Sequence, residues 1–157
     1  MTVTVPNYFH NDYQPAEKPP LPLEQFYHFE KNHGHTEFLI QPRKGAVETH
    51  TWAEVGQQVR RVASYLQSLG LAPGSNIALL SKNCAEWVMA DMAIWMAGHV
   101  TVPIYPTMTA TSVAQILEHS EASVLFLGGI DDWEAMRDGI APGLPVVALP
   151  GAPAHNK

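Results

Sequence analysis

The sequence has little cysteine and little positive charge. Its 157 residues contain one cysteine, Cys84, so an internal disulfide and a CxxC redox pair are both excluded. We expect this thiol to be inert in a reducing compartment. Lys and Arg number 9 against 15 Asp and Glu, for a net charge of −6, and the basic residues form no cluster. This balance argues against nucleic acid and against an anionic membrane as partners.

Two kinds of long hydrophobic segment are also missing. Residues 1–20 lack the basic start and apolar centre of a secretory signal. Residues 92–117 contain no Asp, Glu, Lys or Arg, but Gly98, Pro103 and Pro106 interrupt this run. We therefore expect a cytoplasmic protein with no transmembrane segment.

The content of the chain favours one globular domain. A hydrophobic fraction of 46% is enough to form a core in a chain of this length. We divide the sequence into an extended Pro-rich approach segment (1–22), an α/β unit (23–150) and a loose end (151–157). The first elements predicted are a helix at 23–33 and a hairpin with strands at 38–41 and 46–50. His33 and His35 are assigned to a solvent loop rather than a metal site, because no carboxylate or Cys lies nearby at ligand spacing.

The first long helix is marked at both ends. Thr51 and Glu54 have the spacing of a capping box, and Gly70 is a typical stop. Between them, one apolar stripe is formed by Val55, Val59, Val62, Leu66 and Leu69. The short apolar run at 77–80 follows and predicts a strand buried on both faces of a parallel sheet.

A second helix follows that strand. Asn83 and Glu86 predict its capped start, and the helix should run to Ala97 and stop at Gly98. Apolar side chains surround almost its whole circumference, which predicts contacts on more than one side. Core packing is the favoured interpretation. The alternative is that Trp95 and Met96 form a hydrophobic wall against an acyl ligand or a partner subunit.

Three further strands are predicted at 100–104, 124–127 and 145–149, with a helix capped by Thr109 or Thr111 after the first of them. Gly128 and Gly129 do not form a GxGxxG pattern, so a dinucleotide site is not expected. Asp131 and Asp132 are interpreted as the N-cap and first-turn acids of a short helix. The fold class predicted is α/β: three layers, with a mostly parallel sheet flanked by helices and a small N-terminal β-hairpin.

Four motifs together resemble one enzyme superfamily. In order, HTWAEVGQQVRRVASYL, GLAPGSNIALLSKNCAEWV, WMAGHVTVPIYPT and ILEHSEASVLFL are similar to the opening motifs of the adenylate-forming enzymes, which include acyl-CoA synthetases, luciferases and peptide-synthetase adenylation domains. The similarity covers residues 22–150. The segments PLEQFYHFEKNHG, YPT and EHSEA resemble the long-chain fatty acid branch. The resemblance implies the N-terminal subdomain of the adenylate-forming fold.

What the resemblance implies for chemistry is a two-step ligase. A carboxylate attacks ATP to give an acyl-adenylate, and coenzyme A then displaces AMP. The parent enzyme would use ATP, Mg, coenzyme A and a fatty acid. Its phosphate loop, its magnesium and ribose motifs and its C-terminal lysine are not matched by any stretch of this sequence. We therefore expect the chain alone to be inactive, with no catalytic residue, no metal and no bound cofactor, and to need the missing C-terminal portion as its partner.

The resemblance also suggests one ligand-facing loop. Tyr105, Thr107 and Thr109 match the loop that lies near the approach of the coenzyme A tail in related ligases; some relatives have a basic residue where Thr107 stands. Gly98 is expected to let its helix approach the next strand closely. Two alternatives stay open: a free-standing non-catalytic binding module, and part of an amino-acid adenylation domain. An open sheet edge, with Trp95, Met96 and Met108 uncovered, further predicts a homodimer.

Overall fold

The computed structural model describes residues 19–43 and 45–154. Most of the approach segment at 1–22, and residues 155–157 of the loose end, therefore lie outside the described residues. The elements are, in chain order, α1 Pro22–His33, β1 Glu37–Arg43, β2 Ala46–Thr51, α2 Trp52–Ser68, β3 Asn76–Leu80, α3 Ala85–Met96, β4 Val100–Ile104, α4 Ala110–His119, β5 Val124–Leu127, a 3₁₀ turn Arg137–Gly139 and β6 Val146–Ala148.

A parallel four-stranded sheet forms the centre of the fold. Its strand order is β4-β3-β5-β6, and each neighbouring pair is parallel. The two apolar runs of β3 and β5 lie in the middle and are fully buried, as expected for strands covered on both faces. The α/β prediction is confirmed, and β4 and β6 are the edges of the sheet among the described residues.

The buried side chains of the strands alternate between the two faces of the sheet, so the core has one part on each face. Ile77, Leu79 and Phe126 pack with residues of α2 and α3 on one face. Leu80 and Leu125 pack with α4 and the 3₁₀ region on the other. Because successive side chains of a strand point to opposite faces, one apolar run such as NIALL contributes to both layers.

The hairpin is a separate two-stranded antiparallel sheet that packs on α2 and α3. Gly45 has a φ of 88° at the reversal, a left-handed backbone that glycine adopts without the clash of a Cβ. Arg43 Nε donates to Glu48 Oε2 at 2.8 Å within the hairpin. The Arg43 guanidinium also forms an ion pair with Glu86, which joins the hairpin to the start of α3.

Helix α2 begins and ends as its sequence predicts. Glu54 N donates to Thr51 Oγ1 at 3.3 Å, and the Glu54 carboxylate accepts from Thr51 N at 2.8 Å. Gly70 has a φ of 65° after the C-cap residue Leu69. The predicted stripe is wrong at its last member, since Leu69 is 37% exposed. Ala63 is buried instead, because the buried face of α2 repeats every 3.6 residues. Leu69 is the C-cap residue at the exposed end of this helix.

The start of α3 differs from the prediction. Its N-cap is Cys84 rather than Asn83, and no side chain of the cap residue accepts a hydrogen bond. Instead Ala85 N donates to Gln41 Oε1 of β1 at 2.8 Å, so the hairpin satisfies the free end of this helix. The reason given for Gly98 is also wrong. A Cβ there would meet no atom within 4 Å, whereas its φ is 84°, so the helix stop and not a close approach requires glycine.

The described residues contain no helix that is both long and apolar enough to cross a membrane.

Candidate functional site at the carboxyl edge of the sheet

The chain leaves β3 and β5 toward opposite faces of the sheet. After β3 it enters α3, whose Ala90 and Ile94 pack on the face of Ile77. After β5 it enters the segment of Met136 and Ile140, which packs on the opposite face. In open α/β sheets, ligands bind outside the carboxyl ends of the strands where the connections diverge in this way. The loops after β3, β4 and β5 are therefore the candidate site.

The loops that follow the two central strands, β3 and β5, touch each other closely. Gly128 N donates to Leu80 O at 2.9 Å, and Lys82 N donates to Gly129 O at 3.0 Å. A Cβ on Gly128 would lie 2.5 Å from the Cβ of Ser81, which is buried at 3% exposure. Glycine is thus required at 128 by space and not by backbone conformation. The sequence marks the glycine pair but gives no sign of its contact with Ser81.

A surface ion pair joins the same two loops. The Lys82 ammonium pairs with the Asp131 carboxylate, and both side chains are mostly exposed. The interpretation of Asp131 as an N-cap is therefore wrong. Asp132 Oδ1 does accept from Ala135 N at 3.3 Å, yet this segment forms turns and a 3₁₀ turn rather than an α-helix.

A small cleft of about 280 Å³ opens between the loops that follow β3 and β4. Ser81, Trp87 and Tyr105 are among the residues that line it. Tyr105 is 72% exposed. Leu80 at the end of β3 is fully buried, whereas Trp87 is half-buried because it lines this cleft.

The structure gives the three predicted ligand-facing residues different surroundings. Tyr105 accepts through its carbonyl from Met108 N at 3.3 Å, closing the turn that carries the exposed Thr107. Thr109 is the N-cap of α4, and its hydroxyl accepts from Ser112 N at 3.3 Å. Of the two caps predicted for this helix, Thr109 is the one used. Its hydroxyl therefore has a structural task, whereas Tyr105 and Thr107 have side chains free to face a ligand.

The predicted hydrophobic wall of Trp95 and Met96 lies away from the carboxyl edge of the sheet. Trp95 and Met96 are at the C-terminal end of α3, while Tyr105 follows β4 at the carboxyl edge. The twelve-residue helix α3 begins at that edge, so its far end lies about 18 Å away. Trp95 is 37% exposed, and Met96 packs against the cluster between α2, α3 and the hairpin. The structure does not bring this pair together with the loop after β4.

Lys82 and Asp131 beside the candidate site are mostly exposed, whereas Cys84 is partly buried. Burial raises the pKa of the Cys84 thiol, so the thiolate is disfavoured at neutral pH. His33 and His35 are exposed. Across residues 19–43 and 45–154, no three His, Cys, Asp or Glu side chains group as a metal site would require.

Comparison with known proteins identifies the family to which this arrangement belongs. The profile of the AMP-binding enzyme family matches residues 26–150, from α1 to the residues just after β6. The chain belongs to the AMP-binding enzyme family. The adenylate-forming resemblance is thereby confirmed, and the loops after β3, β4 and β5 all lie within the matched residues.

The relatives differ in the substrates that their names give, and a solved structure shares the fold. A protein of Mycobacterium bovis called long-chain-fatty-acid–CoA ligase FadD15 is 39% identical over 100 residues, covering 62% of this chain and 17% of the relative. A 3-methylmercaptopropionyl-CoA ligase of Ruegeria pomeroyi is 30% identical over 120 residues, covering 76% and 22%. The fold matches the nonribosomal peptide synthetase FmoA3 with a TM-score of 0.68 at 20% identity, covering 83% of this chain and 14% of that one. The chain thus spans about a fifth of the length of these curated relatives.

Proposed function

We propose that the chain is part of a long-chain fatty acid–CoA ligase of the cytoplasm, which activates a carboxylate with ATP to an acyl-adenylate and transfers the acyl group to coenzyme A. The observation that carries this proposal is the match of residues 26–150 to the AMP-binding family, joined to the 39% identity with a ligase named for long-chain acids. The family match supports the reaction class. The long-chain substrate rests on the relative's name and on the three branch motifs of the sequence.

In this proposal the described residues form a scaffold with one ligand-facing edge. The buried strands β3 and β5 hold the loops that carry Ser81 and Gly128 in fixed contact. The exposed loop after β4 presents Tyr105 and Thr107 toward the coenzyme A tail. Thr107 has no charge, so its contribution would be a hydrogen bond or packing and not attraction to a phosphate. Catalytic groups, ATP and magnesium belong to the remainder of the ligase.

The acyl preference can be tested on the protein encoded by the whole reading frame. Formation of acyl-CoA from ATP and coenzyme A should be measured with palmitate, octanoate, 3-methylthiopropionate and serine as competing carboxylates. We expect palmitate to give the highest kcat/KM, because each buried methylene adds about 0.8 kcal/mol of binding where the pocket is long enough to hold it. A preference for 3-methylthiopropionate, or for serine, would replace the long-chain assignment with that of another branch.

The coenzyme A loop has its own control in the same assay. Tyr105→Ala should raise the KM for coenzyme A, while ATP–pyrophosphate exchange, which does not involve coenzyme A, stays unchanged. Tyr65→Ala is the matched control, since Tyr65 is 46% exposed on α2, away from the carboxyl edge. Equal coenzyme A kinetics in the two variants would remove Tyr105 from the proposed site without affecting the ligase assignment.

A further inference from the structure

The loop after β3 is held from two sides. Toward β5, Lys82 N donates to Gly129 O at 3.0 Å, and the buried Ser81 lies against Gly128. On the other side, at residues 83–85, the loop borders the hairpin across a cleft of about 260 Å³. Among the described residues the hairpin and the central sheet share no strand, so side-chain contacts must join the hairpin to this loop.

Two side chains of the hairpin reach the start of α3. Gln41 Oε1 accepts from Ala85 N at 2.8 Å, and Arg43 forms an ion pair with Glu86. The N-cap residue Cys84 makes no side-chain capping hydrogen bond of its own. Ala85 is only 5% exposed, so its N–H would go largely unsatisfied without the oxygen of Gln41.

Asn83 connects this contact to the carboxyl-edge site. It lines the cleft beside the hairpin, together with Gln41 and Ala85. It also lines the cleft that Trp87 and Tyr105 border, so one loop residue is a wall of both clefts. A displacement of Ala85 would move Asn83, two residues before it, and Trp87, two residues after it in the first turn of α3.

We propose that Gln41 is a positioning residue for the cleft between the loops after β3 and β4. Through Ala85 N it holds Asn83 and Trp87 in the arrangement that receives coenzyme A. The identity of this ligand rests on the proposed ligase function. Gln41 is not among the residues that line this cleft, so it acts through the loop and not by touching the ligand. When a loop is displaced in part of the population, the apparent affinity for its ligand falls with the fraction that remains competent.

The kinetic test uses the protein encoded by the whole reading frame. Gln41→Met keeps a side chain of similar length but removes the amide oxygen. We expect the KM for coenzyme A to rise by about twofold to tenfold. The kcat should stay unchanged, because saturating coenzyme A selects the competent arrangement of the loop.

A conservative variant and a control identify the atom responsible. Gln41→Glu keeps an acceptor oxygen at the same position and should restore the KM for coenzyme A. Both substitutions remove the bond from Gln41 Nε2 to Pro42 O, so loss of that donor cannot explain a difference between them. Glu48→Gln is the control: Glu48 lies opposite Gln41 in the hairpin and pairs with Arg43, and this variant should leave the KM unchanged.

A structural measurement on the 157-residue chain does not depend on activity. Hydrogen exchange of the Ala85 amide should be about tenfold faster in Gln41→Met than in the unaltered chain. In NMR spectra of the same variant, the side-chain N–H resonances of Asn83 and Trp87 should shift. Glu48→Gln should change neither the exchange nor these resonances.

The two measurements separate failure of this inference from failure of the proposed function. Without coenzyme A-dependent activity in the unaltered longer protein, the ligase assignment is lost. Resonances of Asn83 and Trp87 that stay in place in Gln41→Met would then refute the positioning role, and resonances that move would support it. With activity present, an unchanged KM for coenzyme A in Gln41→Met would overturn the inference. An equal rise in Glu48→Gln, or no recovery in Gln41→Glu, would overturn it as well.

Discussion

The contact between Ser81 and Gly128 gives the sharpest test of how the candidate site is built. In Gly128→Ala the new Cβ would lie 2.5 Å from Ser81 Cβ. Ser81 is buried and fixed, since its Oγ donates to Lys82 O at 2.8 Å. Overpacking of this kind costs about 1–3 kcal/mol. Gly128 has an ordinary backbone conformation, so no strain in φ contributes to the expected loss.

The double variant isolates the contact. Ser81→Gly alone should cost about 1 kcal/mol for its lost hydrogen bond and a further 0.5–1 kcal/mol, roughly, for the flexibility of glycine. In Ser81→Gly/Gly128→Ala the overlap is gone, so the double variant should be about as stable as Ser81→Gly. The coupling energy should then be about 1–3 kcal/mol, within the range of residues in direct contact.

Urea unfolding followed by tryptophan fluorescence measures these free energies. Gly129→Ala is the control, because a Cβ on the neighbouring glycine would meet one atom at 3.8 Å, an ordinary contact; its effect should lie within about 0.5 kcal/mol. Two results would contradict the contact described between the loops after β3 and β5. One is a Gly128→Ala variant as stable as Gly129→Ala. The other is a double variant whose loss of stability equals the sum of the losses in Ser81→Gly and Gly128→Ala.

Three further substitutions test the core, a helix cap and a partly buried carboxylate. Leu80→Ala removes a fully buried side chain and should lower the free energy of unfolding by about 2–5 kcal/mol; a wild-type urea midpoint would contradict the burial of β3. Thr51→Ala removes the acceptor for Glu54 N and should cost about 1 kcal/mol, with Thr51→Ser, which keeps the hydroxyl, as the control in the same melts. Burial raises the pKa of Asp91, so its charge opposes folding above the unfolded value of 3.8 and ceases to do so as the pH falls below it. Asp91→Asn should therefore raise the melting temperature at pH 7 and have little effect at pH 3; equal shifts at both pH values would show that ionisation is not the cause.

Local signals in the sequence predict most of the fold. The capping box of Thr51 and Glu54 is a contact between neighbours in the chain, so it can be read directly and is confirmed. The apolar runs of β3 and β5 are short, unbroken and bounded by turns, and both are central parallel strands. Each of these features depends on residues within about one helical turn or one strand length of each other.

The predictions that are wrong concern features formed by residues far apart in the sequence. The start of α3 is set by Gln41 Oε1 of the hairpin, 44 residues before Ala85, and Asn83 is left outside the helix. Asp131 is paired by Lys82 across two strands. Gly128 and Ser81 likewise come close together only when β3 and β5 pair, so no spacing in the sequence indicates their contact.

Exchange of labelled pyrophosphate into ATP, with palmitate and without coenzyme A, tests the ligase assignment most directly. The protein encoded by the whole reading frame should show palmitate-dependent exchange. The 157-residue chain should show no exchange, and ATP should not raise its melting temperature. If ATP did bind, a hundredfold excess over Kd would stabilise the chain by about 2.7 kcal/mol, which a melting experiment would detect. No exchange by the longer protein, or exchange by the 157-residue chain alone, would contradict the account.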